Sequence, residues 1–175
     1  MISEISVSPR ASNNKARHLF FALLISAVAV SALYIAIPLY KGLVGVLAII
    51  LLTAAIFIYN KYMATRWHYE VMISDSGTPL FIVSATQGRR RTAMCRIALA
   101  TIQSIEPETR AERRARKTAQ GVMKYNYLPT LDPEKTYLIS SSSRYERAEI
   151  RLEASEEFVN LLLTYADEAR LTESE

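Results

Sequence analysis

Two groups of arginines are the residues in this chain best equipped for chemistry. Arg89, Arg90 and Arg91 are consecutive, and Arg110, Arg113, Arg114, Arg116 and Lys117 fall within eight positions. Guanidinium groups stay charged at any working pH and grip carboxylate or phosphate oxygens in pairs. The chemistry they offer is therefore binding, either of anionic lipid headgroups or of an acidic partner. The same residues equally suit solvated positive charge beside a membrane. Nucleic acid is a poor fit, because no aromatic residues interleave with the arginines.

No other group of residues points to a reaction. The two histidines, His18 and His68, and the single cysteine, Cys95, lack metal-ligand spacing. The lone cysteine also excludes an internal disulfide, and its alternating neighbours predict a small buried strand residue. The five glycines, at 42, 45, 77, 88 and 121, are isolated, so no phosphate-binding loop is present. Ser140–Ser143 is a serine run without a nucleophile elbow, and it reads as structural or solvated loop. Glu156 and Glu157 are explained by helix capping. The sequence is read as a non-enzyme with no cofactor, no metal and no catalytic residue.

The element that positions everything else lies earlier in the chain. Leu19–Tyr40 and Gly42–Tyr59 are uncharged, strongly apolar runs separated only by Lys41. A bilayer core about 30 Å thick needs about 20 such residues in a helix. The expectation is a two-helix transmembrane hairpin over 19–60, with helices at 19–38 and 43–60 and a turn at Pro38–Gly42. The first run is longer than the roughly 7–15 apolar residues of a signal peptide. The Ser- and Asn-rich start predicts an unstructured tail over 1–18. Arg10, Lys15, Arg17, Lys61 and Arg66 flank the open end of the hairpin, against Lys41 alone at the turn. This charge bias predicts a multi-pass cell-membrane protein with both termini cytoplasmic. Gly42 and Gly45 would let the helices approach closely, or offer a contact to a membrane partner. The spans contain no Asp, Glu, Lys, Arg or His, which argues against an ion or proton path.

After the hairpin the pattern becomes alternating. Strands are expected at 68–74, 80–84, 92–97, 101–106, 122–128, 136–140 and 148–152, with a turn at Asp75–Pro79. Pro107–Gln120 reads as a short solvated helix or a loop, with Glu112 and Arg116 as an i,i+4 pair. Ser141–Tyr145 reads as a turn. Ser155 followed by two glutamates starts a final helix to Leu171, with Phe158, Leu161, Leu162, Tyr165, Ala166 and Ala169 on one face. Residues 172–175 form a tail. Charge is polarised: residues 66–124 carry 11 basic and five acidic side chains, and residues from Tyr125 onward carry five and 11. The basic half is the one joined to the hairpin.

About seven strands and one amphipathic C-terminal helix, directly after a two-helix hairpin, resemble the bacterial pleckstrin-homology-like (PH-like) domain membrane proteins. The residues carrying the resemblance are Tyr69–Ser74, Ile97–Ile105 and Ile150–Phe158, within a domain spanning 66–171. The resemblance implies a partly open seven-stranded barrel closed at one end by the C-terminal helix, often self-associating. The fold class expected is thus a transmembrane α-hairpin plus a mainly-β, α+β soluble domain. Phosphoinositide-binding relatives use a basic first hairpin loop, whereas Asp75–Pro79 contains no Lys or Arg. The function expected is a membrane-anchored binding or assembly module at the inner leaflet. The alternative is an accessory subunit of a membrane transport or envelope complex that makes protein contacts only. The partners expected are the bilayer itself, anionic lipid headgroups, and a second copy or a membrane-protein partner, without nucleic acid.

Overall fold

A computed structural model describes residues 5–9, 13–36, 41–116, 121–143 and 147–173. The chain divides into two compact units, Ala11–Thr65 and a second unit formed by Met1–Arg10 with Arg66–Glu175.

The first unit is a pair of helices, α1 (Asn14–Ala36) and α2 (Lys41–Ile58), packed against each other. Both are long and apolar enough to cross a membrane, with mean hydropathy 1.9 over Asn14–Tyr34 and 2.6 over Lys41–Ala64. Only 11% and 6% of these stretches is buried, unlike the core helix of a soluble protein. Large side chains such as Ile25 and Leu43 are 68% and 75% exposed, while the buried positions are the small Ala16, Ala27 and Ala55. Gly45 lies under the Tyr34 ring, where an added Cβ would sit 3.4 Å from the nearest carbon. A π-helical turn, Tyr59–Ala64, extends α2. Asn13 Nδ2 donates to the Tyr62 carbonyl at 2.7 Å, tying this turn to the start of α1. The expected boundaries shift: α1 begins five residues before Leu19, and Lys41 and Gly42 belong to α2 rather than to the turn. The rest of that turn lies outside the described residues.

The second unit holds two four-stranded sheets. Sheet A runs β1 (Ile5–Val7), β2 (Thr65–Ile73), β3 (Pro79–Gln87), β4 (Arg90–Ala98). Sheet B runs β5 (Ile102–Thr109), β7 (Lys135–Ser142), β8 (Arg147–Leu152), β6 (Val122–Asn126), with β6 parallel to β8. All seven expected strand segments are present, and β1 makes eight among the described residues. The unstructured tail expected over 1–18 is therefore corrected at both ends. Ile5 and Val7 pair with Val71 and Tyr69 and pack on the core, and Asn14–His18 open α1. Three alternating residues give too little periodicity to read alone; their partners lie more than sixty positions away.

The turns follow from local chemistry. Gly77, at φ 81, closes the β2–β3 turn by donating to the Ser74 carbonyl at 2.8 Å. Gly88, at φ 58, is first in the two-residue Gly88–Arg89 loop joining β3 to β4, where a II′ turn needs a positive φ. Met94 is an extra residue bulged between Ala93 and Cys95, which face Ser84 and Val83.

The inward sides of the two sheets close on α4 (Glu156–Glu173). Tyr69, Phe81, Leu99, Ile139, Ile150 and Leu162 are at most 1% exposed in this core. Ser155 Oγ accepts from Phe158 N–H at 3.3 Å, the N-cap that Ser-Glu-Glu predicts. Phe158, Leu162, Tyr165, Ala166 and Ala169 then face the core together, at the expected helical spacing.

Candidate functional site

Edge strands β4 and β6 bound a seam where the two sheets are not joined by strand pairing. A cleft of about 430 Å³ opens there. One wall is five consecutive residues of β4, Met94–Ala98. Alternate residues of a strand point to opposite faces, so a cleft touching each of Cys95–Ala98, beyond the Met94 bulge, runs along the edge of β4. Tyr125, Ser141, Ala148 and Ile150 of sheet B form the opposite wall. Tyr127 O–H donates across the seam to the Met94 carbonyl at 3.2 Å. Burial, aided by neighbouring Cys95 and Tyr125, pushes the Tyr127 phenol above its ordinary range, so it remains a neutral donor. Its ring stacks on that of Tyr125, with centroids 6.0 Å apart.

Hydroxyls line the inner end. Thr101 Oγ1 donates to the Ala98 carbonyl at 2.8 Å and lies 2.9 Å from Ser141 Oγ. With the Thr101 proton committed, Ser141 is the donor of that pair. Arg96 lines the same cleft and is exposed. Among the described residues no group of His, Cys, Asp or Glu is placed to hold a metal. The cleft offers hydroxyls, an arginine and a strand edge beside apolar side chains.

The basic groups separate into solvent-facing and internally paired members. Arg89 sits in the β3–β4 turn and Arg90 starts β4, both exposed. Arg91 is pinned: Nε donates to Ser84 Oγ at 3.0 Å, and the guanidinium pairs with Glu70. Burial raises the Glu70 pKa, but the Ser6 hydroxyl, donating at 2.6 Å, and Arg91 outweigh it and hold the carboxyl below its ordinary range.

The second group occupies the short helix α3 (Arg110–Ala115) and its C-cap, Arg116. Thr109 and Glu112 form a capping box, with Thr109 N–H donating to Glu112 Oε2 at 2.7 Å. Those hydrogen bonds, from the Thr109 N–H and then its hydroxyl, lower the Glu112 pKa. The carboxylate therefore serves the cap instead of the expected pair with Arg116. Arg110 and Arg113 both pair with Asp132, and Arg113 Nη2 donates to the Pro133 carbonyl at 2.9 Å. Arg116 lies 3.6 Å from Glu106 and 3.8 Å from Glu149. Arg114 is exposed and in no ion pair among the described residues, which exclude Lys117.

Sequence reasoning did not gather the cleft. Its walls come from β4, β6, β7 and β8, far apart in the chain. Ser141 was expected in a turn, but β7 runs on to Ser142 and Ser141 is 7% exposed. Cys95 is a strand residue as expected, though half-buried at the seam. The Thr109-x-x-Glu112 spacing was the one readable signal that α3 is a true helix with a committed glutamate.

No curated protein and no solved structure matches the chain. Residues 4–170 match the family described as bacterial PH-like domain (DUF6106). The match takes in β1, both apolar helices and the two-sheet unit, so this chain belongs to the bacterial PH-like domain family.

Proposed function

We propose that the protein is a non-enzymatic binding or assembly module, anchored in the cell membrane by α1 and α2 and working at the inner leaflet through its PH-like unit. One observation carries this reading. The chain passes from α2 through Tyr59–Ala64 directly into β2 without a loop, so an apolar helix and a recognition fold are covalently continuous. The charge bias supports a multi-pass arrangement with both termini cytoplasmic. The barrel implied by the family is part of the same reading, its open side being the seam between β4 and β6. Carbonate-washed membranes should retain the full chain. Reporters after Glu175 and within residues 37–40 should mark opposite sides of the membrane. Release by carbonate, or the same side for both reporters, refutes the anchor.

Arg89 and Arg90 are the residues of the first basic group free to meet anionic headgroups, each contributing about 1 kcal/mol near the surface. In proteoliposomes, replacing phosphatidylcholine with phosphatidylglycerol should slow amide exchange around Gly88–Arg90. Arg89→Ala with Arg90→Ala should abolish the difference. An unchanged turn favours the second reading, an accessory subunit of a membrane transport or envelope complex making protein contacts only. That reading draws support from the carboxylate partners of Arg91, Arg110, Arg113 and Arg116. Crosslinking in intact membranes should then recover one fixed heterologous protein.

A further inference from the structure

We infer that the seam is a receptor for an extended acidic segment of a partner protein, which adds as a strand along the free edge of β4. The inference rests on the unit being a binding module and names the chemical class of its partner.

The shape of the cleft supplies the first argument. A trough following five residues of an edge strand is about 17 Å long at the rise of a β-strand and about 430 Å³ in volume. Among the described residues no strand pairs with β4 on the side away from β3, as strand addition requires, although Tyr127 and Thr101 hold the Met94 and Ala98 carbonyls. The floor of the trough includes Ile97, Ala148 and Ile150. Met94 lines it at 50% exposure. Methionine packs adaptably against varied apolar side chains, so every second residue of an incoming strand has an apolar place to go.

Charge supplies the second argument and selects the partner. β4 contains Arg90, Arg91 and Arg96, β6 contains Lys124, and neither strand contains Asp or Glu. Arg91 is committed to Glu70. Arg89, Arg90, Arg96 and Lys124 are exposed and in no ion pair among the described residues. A basic edge resists pairing with a second basic edge, which disfavours β4 pairing with β4 of another copy. The same charges favour a strand alternating acidic and apolar residues, so repulsion and attraction set specificity together.

The test uses the full chain in phosphatidylcholine nanodiscs with a short synthetic peptide alternating Glu and Val. Two controls accompany it, one with Lys in place of Glu and one N-methylated at alternate amides, which cannot pair as a strand. The acidic peptide should slow amide exchange across Met94–Ala98 at least tenfold, saturably, and slow alkylation of Cys95. Arg96→Glu should weaken its binding at least tenfold and shift preference to the basic peptide. No slowing at millimolar acidic peptide overturns the inference, as does equal slowing by either control peptide. Phosphatidylglycerol nanodiscs protecting the same amides without peptide would assign the seam to lipid and likewise overturn it. None of these readouts depends on carbonate extraction or reporter topology, so failure of the anchor and failure of the strand receptor are separately visible.

Discussion

Arg151 holds Glu108 through two parallel hydrogen bonds, Nε to Oε2 at 2.8 Å and Nη2 to Oε1 at 3.1 Å. The pair reaches from β8 to β5 across the intervening β7, where Thr136 Oγ1 also donates to the Glu108 carbonyl at 3.1 Å. The Glu108 side chain is 3% exposed, so Arg151 is the partner that compensates it inside the sheet. Breaking such a pair from one side leaves an uncompensated charge and costs about 3–5 kcal/mol, while replacing both partners with apolar groups is often neutral. Arg151→Met should therefore lower the unfolding midpoint of the two-sheet unit sharply. Glu108→Leu with Arg151→Met should recover most of the loss in thermal or denaturant melts. Equal losses in the single and double variants would contradict this account.

Tyr69 links sheet A to the chain that follows both β6 and β8. Its hydroxyl donates to the Tyr127 carbonyl at 2.8 Å and accepts from Glu153 N–H at 3.4 Å. Tyr69→Phe leaves both groups unpaired at the expense of about 1–3 kcal/mol. Burial also pushes the phenol above its ordinary value. Below about pH 10 the phenol is protonated in both states and the stability is fully present. At higher pH the unfolded chain loses this proton first, so the folded state binds more protons and stability falls as pH rises. Melts between about pH 9 and pH 11 should show a shallower alkaline decline in Tyr69→Phe than in the parent.

Glu70 makes β1 responsive to acid. Its depressed pKa, held by Ser6 and Arg91 against burial, means that the stability it contributes is present above the ordinary carboxylate value and lost as pH falls through the folded one. Amides of Ser6 and Val7, corrected for intrinsic rate, should open increasingly below about pH 4. In Glu70→Gln they should exchange faster already at neutral pH. Retention of slow exchange in that variant would show that Ile5 and Val7 alone hold the strand.

The legible parts of this fold were those written in local pattern. Strand alternation, the Gly77 turn and the Ser155 cap each depend on neighbours a few positions apart, and each stands where its residues place it. Gly42 and Gly45 were alike in sequence, but among the described residues only Gly45 meets a partner, Tyr34, because helix rotation is set by packing and not by composition. The arginines show the same limit. Nothing near Arg91 in sequence announces Glu70, and nothing near Arg113 announces Asp132 nineteen positions later. The cleft was unreadable for the same reason, since an edge is defined by which strand fails to find a neighbour.

That difference among arginines yields the sharpest test of the basic groups. Arg110 and Arg113 converge on Asp132, and Arg113 also holds the Pro133 carbonyl, with its side chain 14% exposed. Together they fasten the segment between β6 and β7. Asp132→Asn should loosen both arginines at once, increasing exchange over 127–134 and lowering stability by about 1–3 kcal/mol. It should leave the lipid response of the Gly88–Arg90 turn unchanged. Arg89→Glu should do the reverse, altering that response while moving the melting midpoint little, as expected for an exposed residue in no ion pair among the described residues. If both variants change both readouts, the two basic groups act as one surface, and their division into clamp and contact is wrong.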